Sequence, residues 1–222
     1  MTLSEIQLQT MLELQEGMNS KVNSNWIAAN NNWYRAIQVE GAEAIEHHGW
    51  KWWKKQECDM AQLRMELVDI WHFVLSAELQ HKHGNIALAK KDMMAELNLA
   101  QKSVMFDGKY YVLAQINLLE KLDILCGLAA AKRTNLALFD ALLADCGMSW
   151  LELFKQYIGK NVLNMFRQDH GYKSGSYIKI WNGREDNEHL VEVLETVKLG
   201  SRNVRDELYQ ALKARYLLVQ EA

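Results

Sequence analysis

The sequence predicts an all-α protein, a helical bundle formed by a single domain over residues 1–222. Three observations carry that expectation. The chain has 222 residues and no proline, where ordinary usage near 5% would place about eleven. Proline breaks helices and punctuates turns, so its absence favours long helical segments. Leu, Ala, Glu, Gln, Lys and Met, all good helix formers, dominate the composition. Apolar residues also recur at helical spacing from the start: Leu3, Ile6, Leu8, Met11, Leu12, Leu14, Met18 and Val22.

Residues 3–22 are therefore the first expected helix. Gln15 and Asn19 sit one turn apart on it, and alone they read as a satisfied or exposed polar face. Asn23-Ser-Asn25 and Asn30-Asn-Asn32 supply loop and cap residues. A helix from about Trp33 to His47 follows and is ended by Gly49. The connector Trp50-Lys-Trp-Trp-Lys-Lys55 reads as an amphipathic plug, with two of its three tryptophans turned inward and the lysine stems reaching for water. The next helix spans about Asp59 to His83. From Gly84 to about Gly108 the pattern stays helical and charged, with a turn at Phe106-Asp-Gly-Lys109. Tyr110 to Arg133 and Asn135 to Cys146 give two Leu- and Ala-rich helices, expected in the core and in part at a subunit interface. A helix from Trp150 to His170 runs into a loop broken by Gly171, Gly175 and Gly183, and the tail from about 188 to 220 is amphipathic helix.

Composition excludes some classes of function. A net charge of −3 argues against a general nucleic-acid-coating role. No apolar run approaches the length of a membrane span. The opening Met1-Thr-Leu-Ser-Glu-Ile6 lacks the basic and apolar segments of a signal peptide. Cys58, Cys126 and Cys146 are odd in number and widely spaced, which suggests neither a disulfide framework nor a zinc site. A soluble cytoplasmic protein with reduced thiols is expected.

Two acidic pairs carry the chemistry. Glu40 and Glu43 lie in Glu40-Gly-Ala-Glu43, and Glu66 and Asp69 lie in Glu66-Leu-Val-Asp69. On a helix, a spacing of three puts both carboxylates on one face, about 5–6 Å apart at Cβ. Each pair alone reads most simply as a solvated face. Both are flanked by apolar residues, however, and acidic groups in such surroundings need hydrogen bonds or a cation. If the two helices pack face to face, four carboxylates converge on one spot. An oxygen-only cage of that kind suits Mg²⁺, with Mn²⁺ able to substitute. A second block begins on the helix that ends near His170. Lys160, Asn164 and Arg167 share one face there, and the following loop carries Tyr172, Lys173, Tyr177, Lys179 and Asn187. Such a cationic face and loop meet the needs of triphosphate binding.

The order of these elements resembles the dimeric all-α dUTPases. The likeness is carried by the first acidic pair, the Gly49-Trp-Lys-Trp-Trp-Lys54 segment, Glu66-Leu-Val-Asp-Ile-Trp-His-Phe73 and the block from Lys160 to Asn187. It implies a bundle of the all-α NTP pyrophosphohydrolase type and an obligate homodimer. It implies Mg²⁺-dependent hydrolysis of dUTP to dUMP and pyrophosphate, and of dUDP as well, with two or more ions held by Glu40, Glu43, Glu66 and Asp69. Glu43 is the favoured proton acceptor for the attacking water. Gln15 and Asn19 would read the uracil edge, while Trp50 and His72 would lie against the base and sugar. Lys160, Asn164, Arg167, Tyr172, Lys173, Lys179 and Asn187 would serve the phosphates. Three rivals stand beside this expectation. One is a related pyrophosphohydrolase that prefers another base, as in dCTP. The second is a di-iron carboxylate protein, which would want Glu-x-x-His on two helices. The third is a non-catalytic helical interaction protein.

Overall fold

The structure, a computed structural model, describes residues 2–196 and 204–220. Helix α1 spans Glu5–Val22, a short α2 spans Trp26–Ala29, and α3 spans Trp33–His48. Helix α4 follows over Met60–His81 and α5 over Ile86–Asn98. Strands β1 (Ser103–Phe106) and β2 (Lys109–Val112) form a hairpin. Helices α6 (Leu118–Ala130), α7 (Leu136–Asp145) and α8 (Trp150–Asp169) come next. A small β3–β4 ladder (Ile180–Trp181 and Arg184–Glu185) leads into α9 (Asp186–Thr196), and α10 runs over Val204–Gln220. The all-α expectation is borne out, with two small hairpins added.

The helix starts are written in the local sequence. Ser4, Asn32, Asp59, Asn85, Asn117, Asn135 and Ser149 each accept a hydrogen bond from a backbone N–H of the first turn. Ser4 with Gln7, Asn117 with Glu120, and Ser149 with Glu152 close reciprocal capping boxes. Each such cap contributes about 1 kcal/mol. Gly49 ends α3 at a φ of 82°, where a side chain would be strained.

Two expected helices are shorter than the sequence suggested. The stretch from Gly84 to Gly108 contains α5 but then enters β1, and Tyr110 lies in strand β2, not in a helix. The Asp107-Gly108 turn has positive φ at both residues, 48° and 74°, which matches the twist of a two-residue hairpin. The turn was legible, and the β-prone residues flanking it (Val104, Tyr111, Val112) were the overlooked signal. The tail is likewise not one rod, because α9 and α10 pack against each other.

Helices α3 and α4 pack along one another, with α6 on the other side of α3 and with α1 and α8 against α4. Buried apolar residues from Leu3 to Tyr216 form one continuous cluster. Trp71 of α4 anchors it, stacked on Phe139 at 5.0 Å and edge-on to Trp150 at 5.1 Å. Two glycines set the spacing around α3. A Cβ on Gly41, inside the first acidic pair, would lie 2.6 Å from Cys126 Sγ, and one on Gly127 would lie 2.4 Å from the Phe106 ring. Helix α6 therefore approaches both α3 and the β1–β2 hairpin as closely as backbone allows. Among the described residues, no helix is long and apolar enough to cross a membrane.

Candidate active site

The packing of α3 on α4 brings the acidic pairs together. Oxygens of Glu40, Glu43 and Glu66 lie within 4.8 Å of one another. Glu66 is buried, Glu40 half-buried and Glu43 exposed, so the set opens from the core toward solvent. The carboxyls of Glu40 and Glu66 share a hydrogen bond, which requires a proton on one of them. Burial, followed by the charges of Asp69, Glu66 and Glu43, pushes Glu40 up to about 8. Burial also pushes Glu66 up to about 7, with Asp69 and Glu43 adding to the rise while Glu40 and Lys160 oppose it. This is the electrostatic signature of carboxylates arranged for a cation they would share. The donor set is all oxygen, which fits a hard divalent ion.

Asp69, the fourth expected member, lies outside that set of mutual approaches, although its charge still leads those acting on Glu40. Its Oδ2 lies 2.9 Å from Lys160 Nζ on α8. His47, in the last turn of α3, places Nε2 3.4 Å from Glu66 Oε1. It was missed in the sequence, although it stands four residues after Glu43 and so on the same helix face.

Further along α4 the bundle interior becomes polar. Gln15 Nε2 donates to Asn19 Oδ1 at 3.0 Å and to Ser76 Oγ at 2.9 Å. Its Oε1 lies 2.8 Å from His72 Nδ1 and 2.9 Å from the Tyr157 hydroxyl. The Gln15 amide is thus saturated within the protein. Asn19 donates one amide hydrogen to Ser76 at 3.1 Å and keeps the other uncommitted among the described residues. Because Gln15 Oε1 can only accept, the His72 proton sits on Nδ1, and Nε2 is left as a bare acceptor. That nitrogen is buried without a partner among the described residues, as is Asn161 Oδ1 on α8. Burial, together with the positive charge of Lys160, lowers His72 to about 3, so the ring is neutral. Buried orphaned polar atoms are rare in folded proteins and call for a partner. Ser76, Tyr157 and Asn161 were also missed; their signal is a polar atom at an otherwise apolar helix position.

A comparison with family models decides what this arrangement belongs to. The dUTPase family model matches residues 7–172, well over half of the chain. The chain belongs to the all-α dUTPase family. It is a dUTP diphosphatase, a hydrolase acting on dUTP, and dUTPases generally use a divalent metal. Comparison with curated proteins finds no match.

The match ends at Tyr172, so Lys173, Lys179 and Asn187 of this dUTPase lie beyond it. In the structure the expected phosphate-binding residues are engaged with the protein itself. Arg167 grips the fully buried Asp186 through Nε and Nη2, both at 2.8 Å, and its Nη1 donates to Asn164 Oδ1 at 3.2 Å. Tyr177 also donates to Asp186 at 2.8 Å, and Asn187 Oδ1 lies 3.4 Å from Arg167 Nη2. Lys173 donates to the Val22 carbonyl at the end of α1, at 2.9 Å. Lys179 pairs with Glu185 at 3.1 Å, and the exposed Tyr172 ring lies beneath the Arg167 guanidinium. The sequence pattern showed the cations and not their counter-charges.

The tryptophan connector corrects another expectation. Trp50, Trp52 and Trp53 are all exposed, at 43%, 90% and 57%. They stack edge-on in series, each ring 5.2 Å from the next in contact. Trp50 donates to Glu46 at 2.9 Å, and Lys51 pairs with the same carboxylate. Glu46 thereby holds the segment at the outer end of α3, which keeps the rings out of the core.

Proposed function

We propose that this dUTPase converts dUTP to dUMP and pyrophosphate in a Mg²⁺-dependent reaction and hydrolyses dUDP to dUMP and phosphate in the same site. On this reading it works in the cytoplasm as a homodimer of single-domain subunits, each finishing the other's pocket. The observation that carries the proposal is the convergence of Glu40, Glu43 and Glu66 along α4 from a buried cluster holding an unpartnered His72 Nε2.

Glu40, Glu43, Glu66 and Asp69 would hold two or more Mg²⁺, with Mn²⁺ as a substitute. Bound there, such ions supply charge neutralisation and polarise the phosphorus–oxygen bonds. Glu43, the exposed member, takes the proton from the attacking water. The water oxygen bonds to phosphorus, the α–β anhydride bond breaks, and pyrophosphate leaves. Lys160, Asn164, Arg167, Tyr172, Lys173, Lys179 and Asn187 serve the phosphates, and Lys160, Lys173 and Lys179 must first give up their present partners. That exchange would accompany closure of the segment from 171 to 187 over the nucleotide.

At the nucleoside end, Asn19 offers its uncommitted amide hydrogen to the uracil edge, with Gln15 fixing its orientation. The bare His72 Nε2 accepts from an N–H or O–H of the nucleoside. Trp50 forms the wall that excludes a 5-methyl group. Sterics alone give limited discrimination against one methyl, so closure contributes to selectivity.

The test is hydrolysis of dUTP, dUDP, dTTP, dCTP and UTP, each with Mg²⁺ and with EDTA. Metal-dependent turnover confined to dUTP and dUDP is expected. Turnover of dCTP would displace the base assignment and keep the chemistry, whereas activity that persists in EDTA would remove the metal role.

A further inference from the structure

Lys160 is only 5% exposed. Its ammonium lies 2.9 Å from Asp69 Oδ2, and Asp69 is its one ion-pair partner among the described residues. Oxygens of Glu40, Glu43 and Glu66 meanwhile lie within 4.8 Å of one another, in a set that leaves Asp69 out. Two pairs that look equivalent in the sequence are therefore divided three to one in the fold. The division has a physical consequence. A buried ammonium left unpaired carries a large desolvation cost, so Asp69 can give both of its oxygens to another cation at low cost only when Lys160 finds another anion. The anion that the proposed reaction brings here is a nucleotide phosphate, which a lysine serves as a point charge.

We propose that Lys160 withholds Asp69 from the metal centre until a polyphosphate arrives. One divalent cation binds Glu40, Glu43 and Glu66 in the free protein, and the second enters with the nucleotide. This rests on the reading of the carboxylates as a metal centre and is independent of which base is preferred. The coupling is reciprocal: the factor by which phosphate improves the second metal site is the factor by which that metal improves phosphate binding. His47 touches Glu66 without removing it from the set, so Lys160 is the residue that makes the two halves unequal.

The test is titration of the metal-stripped protein with Mn²⁺ in the absence of nucleotide, with bound ions counted by electron paramagnetic resonance. The unaltered protein should bind one ion tightly and a second at least 100-fold more weakly. Lys160→Met should bring the second ion within tenfold of the first. Lys160→Gln should do the same, which keeps the test decisive should the Met variant fail to fold by circular dichroism. Adding Asp69→Asn to the Lys160→Met background should abolish the second ion again, separating release of Asp69 from a general gain in negative charge. Two ions of similar affinity in the unaltered protein would overturn the proposal, as would folded Lys160 variants that still bind one. A protein that binds no Mn²⁺ at all would overturn the metal-centre reading itself, and the proposal with it.

Discussion

Replacing Glu40 with glutamine should stabilise the metal-free protein above neutral pH, and the size of the gain follows from the site. Glu40 is raised from an ordinary 4.5 to about 8, first by burial and then by Asp69, Glu66 and Glu43. Between those two values the folded protein keeps a proton that the unfolded chain has released. Stability contributed by this group is therefore fully present below pH 4.5 and is lost as pH rises through about 8. From pH 6 to pH 8 the loss is about 2.7 kcal/mol at about 1.36 kcal/mol per pH unit. Glu40 is only half-buried, and solvent screening reduces this to roughly 1.4 kcal/mol. For a chain of this length that corresponds to a fall of about 3–6 °C in Tm. Thermal melts followed by circular dichroism, in EDTA at pH 6 and pH 9, provide the assay. The unaltered protein should lose those degrees, Glu40→Gln should lose far fewer, and added Mg²⁺ should restore only the former. Parallel losses in the two proteins would refute the convergence of Glu40 on Glu66.

Four further outcomes are expected. Glu43→Gln should lower dUTP turnover at least about 100-fold while leaving the melt unchanged; full activity would remove Glu43 as proton acceptor. Asp186→Ala strands the largely enclosed Arg167 guanidinium and should cost about 3–5 kcal/mol in urea denaturation, so a loss under 1 kcal/mol would mean that the pair is solvent-relieved. His72, neutral and lowered to about 3 by burial, contributes stability that is present above about pH 6.5 and is lost as pH falls toward 3. About 2 kcal/mol should go between pH 6.5 and 5, and the steeper acid slope of the unaltered protein relative to His72→Gln is the readout. Gly41→Ala drives a methyl into Cys126 and should cost about 1–3 kcal/mol. A Cys126→Ala partner should recover most of that loss, and additive losses in the double mutant would place the strain elsewhere.

Much of this protein was legible in the sequence because the relevant physics is local. Helix periodicity placed α1, α4, α7 and α8 closely, and the caps that the structure shows at Ser4, Asp59, Asn135 and Ser149 are equally local. The spacing of Glu40 and Glu43, and of Glu66 and Asp69, put each pair on one face before any packing was known. The β1–β2 hairpin was misread because short apolar runs fit strand and helix alike, and only the pairing of Val104 with Tyr111 distinguishes them. Partner choice is what the sequence could not supply. Lys160 looked free for phosphate, but its nearest anion, Asp69, is 91 residues away along the chain (160 − 69). Arg167 looked equally free, but it is held by Asp186 from the following ladder and helix. Gln15 looked ready to read a base, but Ser76, His72 and Tyr157 arrive from two other helices and saturate it. Residue type and helical phase are properties of a few neighbouring positions and can be read in one dimension. Which charge meets which, and which polar atom is left without a partner, depends on how α1, α3, α4 and α8 pack, and only the tertiary structure decided that.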